Sequence, residues 1–172
     1  VSVISARSVY RALDRDRYVP VLVGIDGEGN WLFGGDDEEI LLTKRVTGGQ
    51  SALVRLGNRP GELVAHDGAD VESGRFDVVF PLLHGPYGED GTVQGLLELA
   101  GVPYVGAGVA ASAVGMDKEL ARAVFSASGL PQTGFVVIRR SHWRENPNLV
   151  VQEVEQDFDY PIFVKPVNLG SS

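Results

Sequence analysis

The densest cluster of residues able to do chemistry is "LHGPYGEDGTVQG", residues 83–95. It follows a compact apolar run and precedes a helical pattern, and open α/β sheets bind ligands at such strand ends. The segment contains Gly85, Gly88 and Gly91. Glycine lets the backbone turn tightly or approach a ligand closely, and His84 offers a donor and an acceptor that can meet a carboxylate. The residues leave an alternative open: an ordinary loop in which Glu89 and Asp90 only support a helix start.

Two lysines lie where a phosphate could bind. Lys118 stands in a helical pattern of mostly apolar and small residues, and Lys165 ends the apolar run "PIFVK". An ammonium among apolar residues needs water or an anion, because burying it unpaired is costly. The following "NLGSS", residues 168–172, offers N–H groups and hydroxyls able to cover a phosphate, but its order of glycine and lysine is not that of a Walker loop. A solvated lysine and a plain polar loop are the alternative.

Composition excludes several classes of function. A net charge of −8 argues against a general nucleic-acid or anionic-membrane surface, and the lack of cysteine excludes disulfides and thiolate metal sites. His66 and His142 have no acidic or histidine partner at ligand spacing, so we interpret both as surface residues and predict no metal site in this chain. The 172 residues, 44% hydrophobic and 22% charged, are typical of one or two globular domains. No apolar run is long enough to span a bilayer, and a cytoplasmic setting fits.

The elements that must position these residues alternate between strands and helices. A helical pattern opens the chain, and "YVPVLVGI", "FDVVFPLLHG", "VPYVGAG", "FVVIRR" and residues 162–165 predict strands. Residues 34–69 predict short strands or loops. This alternation predicts an α/β fold with parallel pairing.

Three further helices are predicted with their ends. Thr92 can cap the first, which Gly101 ends. One continuous helix covers "SAVGMDKELARAVFSASG" and is closed by Gly129, and the third covers residues 147–158. A Gly-Leu-Pro break predicts a domain boundary within residues 129–135.

Read in order, "HGPYGEDGTVQGLLELAGVPYVGAGVAASAVGMDK" and "YPIFVKPVNLGSS" resemble the D-alanine–D-alanine ligases of the ATP-grasp superfamily. Residues 84–95 meet the family pattern of His-Gly, Gly-Glu-Asp-Gly and Gln-Gly in full. The resemblance implies an N-terminal substrate domain over residues 1–129, an open parallel-type sheet with flanking helices that lacks its first strand. Residues 130–172 would begin the α+β ATP-grasp central domain, and the C-terminal ATP-grasp domain would be absent.

The resemblance also implies an activity, the ATP-dependent ligation of two D-alanines through an acyl phosphate for peptidoglycan precursors. His84 would lie beside the carboxylate of the first D-alanine and the tetrahedral intermediate. Lys118 and Lys165 would hold ATP phosphates. Ser171 would fix the first-substrate region, and Ser172 would face the γ-phosphate. No protein nucleophile is required, since positioning and charge stabilisation carry the reaction.

Further expectations follow from the resemblance alone. Mg²⁺ is implied as a cofactor, with ligands in the family's C-terminal part, and a homodimer is implied as the assembly. Glu89 and Asp90 are expected to shape the loop rather than to act as acid and base. Two alternatives stay open. The first is a D-alanine–D-lactate or D-alanine–D-serine ligase, although Tyr87 favours D-alanyl-D-alanine as the product. The second is a non-catalytic binding or dimerisation fragment. The 172 residues alone are expected to be inactive.

Overall fold

The computed structural model describes residues 2–35, 50–54, 63–65 and 76–170. The helices in these ranges are α1 Ser2–Ala12, α2 Thr92–Leu99, α3 Val109–Met116, α4 Lys118–Ala127, α5 Arg140–Glu145 and α6 Pro147–Asp157. The strands are β1 Leu22–Ile25, β2 Trp31–Gly35, β3 Gln50–Val54 and β4 Leu63–Ala65. None of these helices has the length and apolar character that crossing a membrane requires.

The four strands form one sheet in the order β1-β2-β3-β4, and each neighbouring pair is antiparallel. A short turn at Asp26 joins β1 to β2, and its carboxylate accepts from the N–H groups of Glu28 at 2.8 Å and Asn30 at 2.9 Å. A connection this short permits only antiparallel pairing. Parallel pairing occurs at a bridge between Val79 and Tyr104. The mixture of helix and strand confirms the α/β class, whereas the expected parallel pairing is confined, among the described residues, to that bridge.

Several predicted strands do not form. The "FDVVFPLLHG" segment is bridged only at Val79, and Val78 and Phe80 are about half exposed. An apolar cavity of about 160 Å³ lies between β1 and residues 76–83. The prediction of a buried strand was wrong here because a strand needs a hydrogen-bonded neighbour on each side to be buried in a sheet.

Among the described residues, the other predicted strands between residues 102 and 165 also lack a hydrogen-bonded neighbour on each side. "VPYVGAG" contributes only its bridge at Tyr104. Within the described part of the chain, residues 135–139 and 162–165 form no strand, and Arg140, the last residue of "FVVIRR", begins α5. Phe163 and Val164 are 83% and 87% exposed. The strands predicted from apolar runs in these segments were therefore wrong, because an apolar run does not specify a sheet partner.

The single helix predicted through "MDK" is two helices, α3 and α4. Asp117 between them is extended, with φ −85° and ψ 107°, and its carboxylate accepts from the N–H groups of Glu119 and Leu120. An aspartate in this conformation starts a new helix by satisfying its first free donors. Lys118 is therefore the first residue of α4 rather than an interior helix residue, which corrects the prediction.

The remaining helix ends agree closely with the sequence. Gly101 and Gly129 adopt φ of 65° and 69°, as helix-ending glycines do. Helix α6 spans Pro147–Asp157. Helix α2 begins at Thr92, but its free N–H is bound by the Asp90 carboxylate, so Thr92 is not the capping side chain.

The core lies beneath the inner face of α2. Its buried members are Val93, Leu97, Ala100 and Val102, packed against Trp31, Val79, Leu83 and Tyr104. Burying one such aliphatic side chain stabilises a fold by roughly 1.5–3 kcal/mol. This packing fixes α2 against the segment that leads into His84, and thus holds the loop between them.

The boundary predicted within residues 129–135 stays a prediction. Hydrogen bonds join α4 to that segment: the guanidinium of Arg122 donates to the carbonyl of Thr133 at 3.0 Å, and the amide of Gln132 donates to Ser126 Oγ at 2.8 Å.

Candidate functional site

Asp90 organises the loop that carries His84. Its carboxylate accepts from the N–H of Tyr87 at 2.8 Å and from the N–H of Thr92 at 3.0 Å. Tyr87 has a positive φ of 67°, which is uncommon for a residue with a side chain. The bond from the N–H of Tyr87, followed by one from the side chain of Thr92, lowers the pKa of the Asp90 carboxyl. The carboxylate thus holds an unfavourable backbone conformation and the start of α2 together.

Two glycines allow the loop to fold back tightly. A Cβ on Gly88 would lie 2.5 Å from Cβ of Leu83, closer than any side chain allows. Gly91 has φ 93°, and a Cβ there would lie 2.8 Å from the carbonyl oxygen of Val109 at the start of α3. Gly88 and Gly91 are therefore required for close approach of the loop to neighbouring parts of the protein.

His84 is held from three sides. Its Nε2 lies 2.9 Å from Ser5 Oγ, and its backbone N–H donates to Ser2 Oγ at 3.1 Å. Its Nδ1 lies 3.6 Å from Oε1 of Glu89, whose Oε2 accepts from the N–H of Gly85 at 2.6 Å. The side chains of His84 and Glu89 are 44% and 46% exposed, so the ring is fixed in orientation while open to a ligand.

Lys118 joins the start of α4 to the end of the described chain. Its backbone N–H donates to the carbonyl of Val167 at 3.1 Å, and its Nζ donates to the carbonyl of Leu169 at 2.6 Å. An ammonium has three donors, so two remain for another ligand. A cation in the first turn of a helix is disfavoured by the helix dipole, which makes this lysine an unusual choice for structure alone.

The segment that Lys118 binds also approaches the His84 loop. A Cβ on Gly170 would lie 3.5 Å from both Cα of Gly85 and Oε2 of Glu89. Residues 84–91, the start of α4 and residues 167–170 therefore meet at one place. These three stretches are the ones whose residue types suggested chemistry in the sequence.

The other predicted site residues are less closely described. Lys165 precedes this contact by two residues, is exposed, and forms no ion pair with a carboxylate of the described ranges. Ser171 and Ser172, together with His66, lie outside the described residues. His142 is on the surface as predicted, but it does have an acidic neighbour, since its Nε2 lies 3.7 Å from Oε2 of Glu153.

No group of three or more histidine or carboxylate side chains able to hold a metal ion occurs within the described residues. The described part of the chain therefore supplies no complete ligand set for Mg²⁺.

One buried polar atom in this part of the chain, Oε1 of Gln94, lacks a partner, while the amide nitrogen of Gln94 donates to the carbonyl of Gly88 at 3.0 Å.

Sequence reasoning missed three contributors to the site. Ser2 and Ser5 of α1 were treated only as part of a helix, and Glu89 only as loop architecture, although all three contact His84. The spacing of Ser2 and Ser5 places them on one helix face, which was the available signal. Their partner is 79 residues away from Ser5, and local patterns do not carry that information.

Comparison with known proteins identifies the family. Residues 1–107 match the family described as D-ala D-ala ligase N-terminus, and residues 124–172 match D-ala D-ala ligase C-terminus. The D-alanine–D-alanine ligase of Kocuria rhizophila is 46% identical over 183 aligned residues, covering 100% of this chain and 48% of that protein.

Solved structures give the same result. The D-alanine–D-alanine ligase of Coxiella burnetii superposes with a TM-score of 0.82 at 31% identity, covering 99% of this chain and 48% of that one. The D-Ala:D-Ser ligase VanG of Enterococcus faecalis superposes with a TM-score of 0.76 at 30% identity, covering 98% of this chain and 48% of that one. The chain spans about half the length of the curated relatives it matches, and it belongs to the D-alanine–D-alanine ligase family.

Proposed function

We propose that the protein containing this chain joins two D-alanines in an ATP-dependent reaction that supplies peptidoglycan precursors in the cytoplasm. The observation that carries the proposal is the contact of Lys118 with Val167 and Leu169, next to the loop of His84. It brings the ammonium of Lys118 close to the loop of His84, which supports a phosphate-binding role for the first and a carboxylate-binding role for the second. A ligase that activates a carboxylate with ATP requires both.

The proposed reaction has two steps whose atoms balance. A carboxylate oxygen of the first D-alanine attacks the γ-phosphorus of ATP, so that ADP leaves and an acyl phosphate forms. The amine of the second D-alanine then attacks the acyl carbon, loses a proton, and expels inorganic phosphate from the tetrahedral intermediate. The protein needs no nucleophile of its own, because orientation and charge neutralisation supply the catalysis.

In this reaction His84 faces the carboxylate of the first D-alanine and the oxygens of the intermediate. Its partial exposure leaves the ring accessible, and the contacts of Ser5 and Glu89 fix its orientation. When the ring is protonated, its Nε2–H can donate to a substrate oxygen in place of Ser5, while its Nδ1–H is directed at Glu89.

Lys118 and Lys165 hold the phosphates of ATP. Lys118 keeps two donors beyond its bond to Leu169, and Lys165 is exposed in the same C-terminal segment. Two ammonium groups neutralise the charge that moves with the γ-phosphoryl group. Ser171 is assigned to the first-substrate region and Ser172 to the γ-phosphate, by their positions in "NLGSS".

ATP and Mg²⁺ accompany this proposal through the family, as does a homodimer. Within the described ranges, no group of three or more side chains able to hold a metal ion occurs. A D-Ala:D-Ser ligase is the second candidate, because VanG superposes with this chain nearly as well as a D-alanine–D-alanine ligase does. The named sequence relatives at 43–48% identity favour D-alanine as the second substrate.

Product analysis tests the proposal. The full natural chain that carries these residues is incubated with ATP, Mg²⁺ and D-alanine, with D-serine or D-lactate as competing acceptors, and the products are separated by mass. D-alanyl-D-alanine as the main product, with one ADP formed per dipeptide, supports the proposal. Predominant D-alanyl-D-serine or D-alanyl-D-lactate would favour the second candidate, and no ATP consumption would favour a binding or dimerisation fragment.

A further inference from the structure

The first turns of α1 hold His84 at two points. Ser2 Oγ accepts from the backbone N–H of His84 at 3.1 Å, and Ser5 Oγ lies 2.9 Å from Nε2 of the ring. Residues three apart share a helix face, so one face of α1 contacts both the backbone and the side chain of the histidine. Neither serine belongs to the motif of residues 84–95.

The behaviour of Ser8 shows that the Ser5 contact is not what a helix serine does by default. Ser8, one turn further along α1, donates to the carbonyl of Ile4 in its own helix at 3.1 Å. Such a bond back to the preceding turn is the common arrangement for a helix serine. The hydroxyl of Ser5 instead leaves the helix and reaches a ring on a different element.

The two ring nitrogens of His84 have unlike neighbours. Nδ1 lies 3.6 Å from a carboxylate oxygen of Glu89, which attracts a proton on that nitrogen. With the proton of the neutral ring on Nδ1, Nε2 is an acceptor, and a hydroxyl can donate to it. Ser5 is placed to do so, and the hydrogen bond at one ring nitrogen sets the protonation of the other.

We infer that Ser5 is a positioning residue for His84. Its hydroxyl donates to Nε2 and thereby favours the neutral tautomer that carries the proton on Nδ1. The same bond fixes the plane of the imidazole at the entrance of the site. Through the ring it governs how the first D-alanine is bound. This last consequence rests on the proposed function, whereas the effect on the ring does not.

The ring itself provides the first test. In the full natural chain labelled with ¹⁵N-histidine, the ring nitrogen shifts of His84 are measured at about pH 9, where an ordinary imidazole is neutral, with assignment by the His84→Asn variant. The Nδ1–H form should predominate, and Ser5→Ala should move the ratio of the two tautomers roughly fivefold toward Nε2–H, the effect of one neutral hydrogen bond. Ser5→Thr keeps a hydroxyl and should restore the ratio.

Ser8→Ala is the matched control, because it removes a hydroxyl from the same helix without touching His84. Its tautomer ratio should equal that of the unsubstituted protein. An unchanged ratio in Ser5→Ala, or an equal shift in Ser8→Ala, overturns the inference. If Ser5→Ala does not fold, Ser5→Val, which resembles threonine in shape, takes its place against Ser5→Thr.

Kinetics separate this inference from the proposed function. In Ser5→Ala the KM for the first D-alanine should rise roughly fivefold, while the KM for ATP stays the same, and Ser8→Ala should change neither. A tautomer shift in a protein that does not consume ATP with D-alanine would refute the proposed function and leave the positioning role standing. If the protein is an active ligase but its tautomer ratio is the same with and without the Ser5 hydroxyl, only the positioning role is refuted.

Discussion

The ammonium nitrogen of Lys118 and the carbonyl oxygen of Leu169 lie 2.6 Å apart, although 51 residues separate them in the sequence. The bond ties the first residue of α4 to the segment that follows Lys165. Because the same segment approaches Gly85 and Glu89, the contact connects Lys118, for which we propose a role in phosphate binding, with the loop of His84. Removal of Lys118 should therefore affect both ATP binding and the order of residues 167–170.

Lys118→Met in the full natural chain should weaken ATP binding roughly 10- to 100-fold, the loss expected for a charge-assisted hydrogen bond of about 1.5–3 kcal/mol. Calorimetric titration with a non-hydrolysable ATP analogue measures this change. Arg144→Met, which removes a charge from exposed α5, is the control and should bind as the unsubstituted protein does. Equal affinity in Lys118→Met and Arg144→Met would contradict the assignment.

His84→Ala should raise the KM for the first D-alanine about tenfold or more and leave ATP affinity nearly unchanged, because the ring is assigned to the carboxylate and not to the nucleotide. Initial rates with each substrate varied in turn measure the two effects. His142→Ala, which breaks only a surface pair with Glu153, serves as the comparison. If amino-acid kinetics are unchanged in His84→Ala, the ring does not face the substrate.

Gly88→Ala should destabilise the protein by about 1–3 kcal/mol, since its Cβ would overlap the side chain of Leu83. Gly95→Ala within α2 is the matched control, because a Cβ there meets nothing within 4 Å. It should stabilise the helix by roughly 0.5–1 kcal/mol. Chemical denaturation of both variants gives the two free energies of unfolding, and a neutral Gly88→Ala would show that the loop is not packed as described.

Asp90→Asn should lower the free energy of unfolding by about 1 kcal/mol at neutral pH, because one amide oxygen cannot replace a carboxylate at two N–H groups. The bond from Tyr87 lowers the folded-state pKa of Asp90 below the ordinary value of an aspartate. The contribution of the carboxylate is therefore present above about pH 4 and is lost as the pH falls through the lowered value.

The difference in stability between Asp90→Asn and the unsubstituted protein should thus be constant from about pH 5 to 7 and shrink below about pH 4. Denaturation at a series of pH values measures it, with Glu145→Gln of α5 as a control for charge alone. A difference that grows as the pH falls would have the wrong sign and would reject the role of Asp90.

The sequence predicted local features well where a single residue decides the backbone. Gly101 and Gly129 end helices because they adopt a positive φ, and residue type alone indicates this. The break at Asp117 was missed because the apolar stripe continues through it, while the cap depends on the bonds its carboxylate makes. Phe163 and Val164 show the opposite error, since an apolar run predicts burial only if a partner covers it.

For the site, residue type and order suggested His84, Lys118 and Lys165, whose roles stay predictions, but did not indicate which contacts hold His84 and Lys118. The bonds of Ser5 to His84 and of Lys118 to Leu169 join residues 79 and 51 positions apart. Such pairs arise where α1 and the start of α4 meet distant parts of the chain, and no local pattern encodes them. Motifs can therefore suggest a site, whereas its supporting contacts require the fold.

Isotope transfer tests the central claim most directly. D-alanine labelled with ¹⁸O in its carboxylate is turned over with ATP by the full natural chain, and the inorganic phosphate is analysed by mass spectrometry. An acyl phosphate requires that the oxygen which attacks the γ-phosphorus leaves with it, so each phosphate formed should carry one ¹⁸O. Unlabelled phosphate released together with the dipeptide would contradict the proposed mechanism.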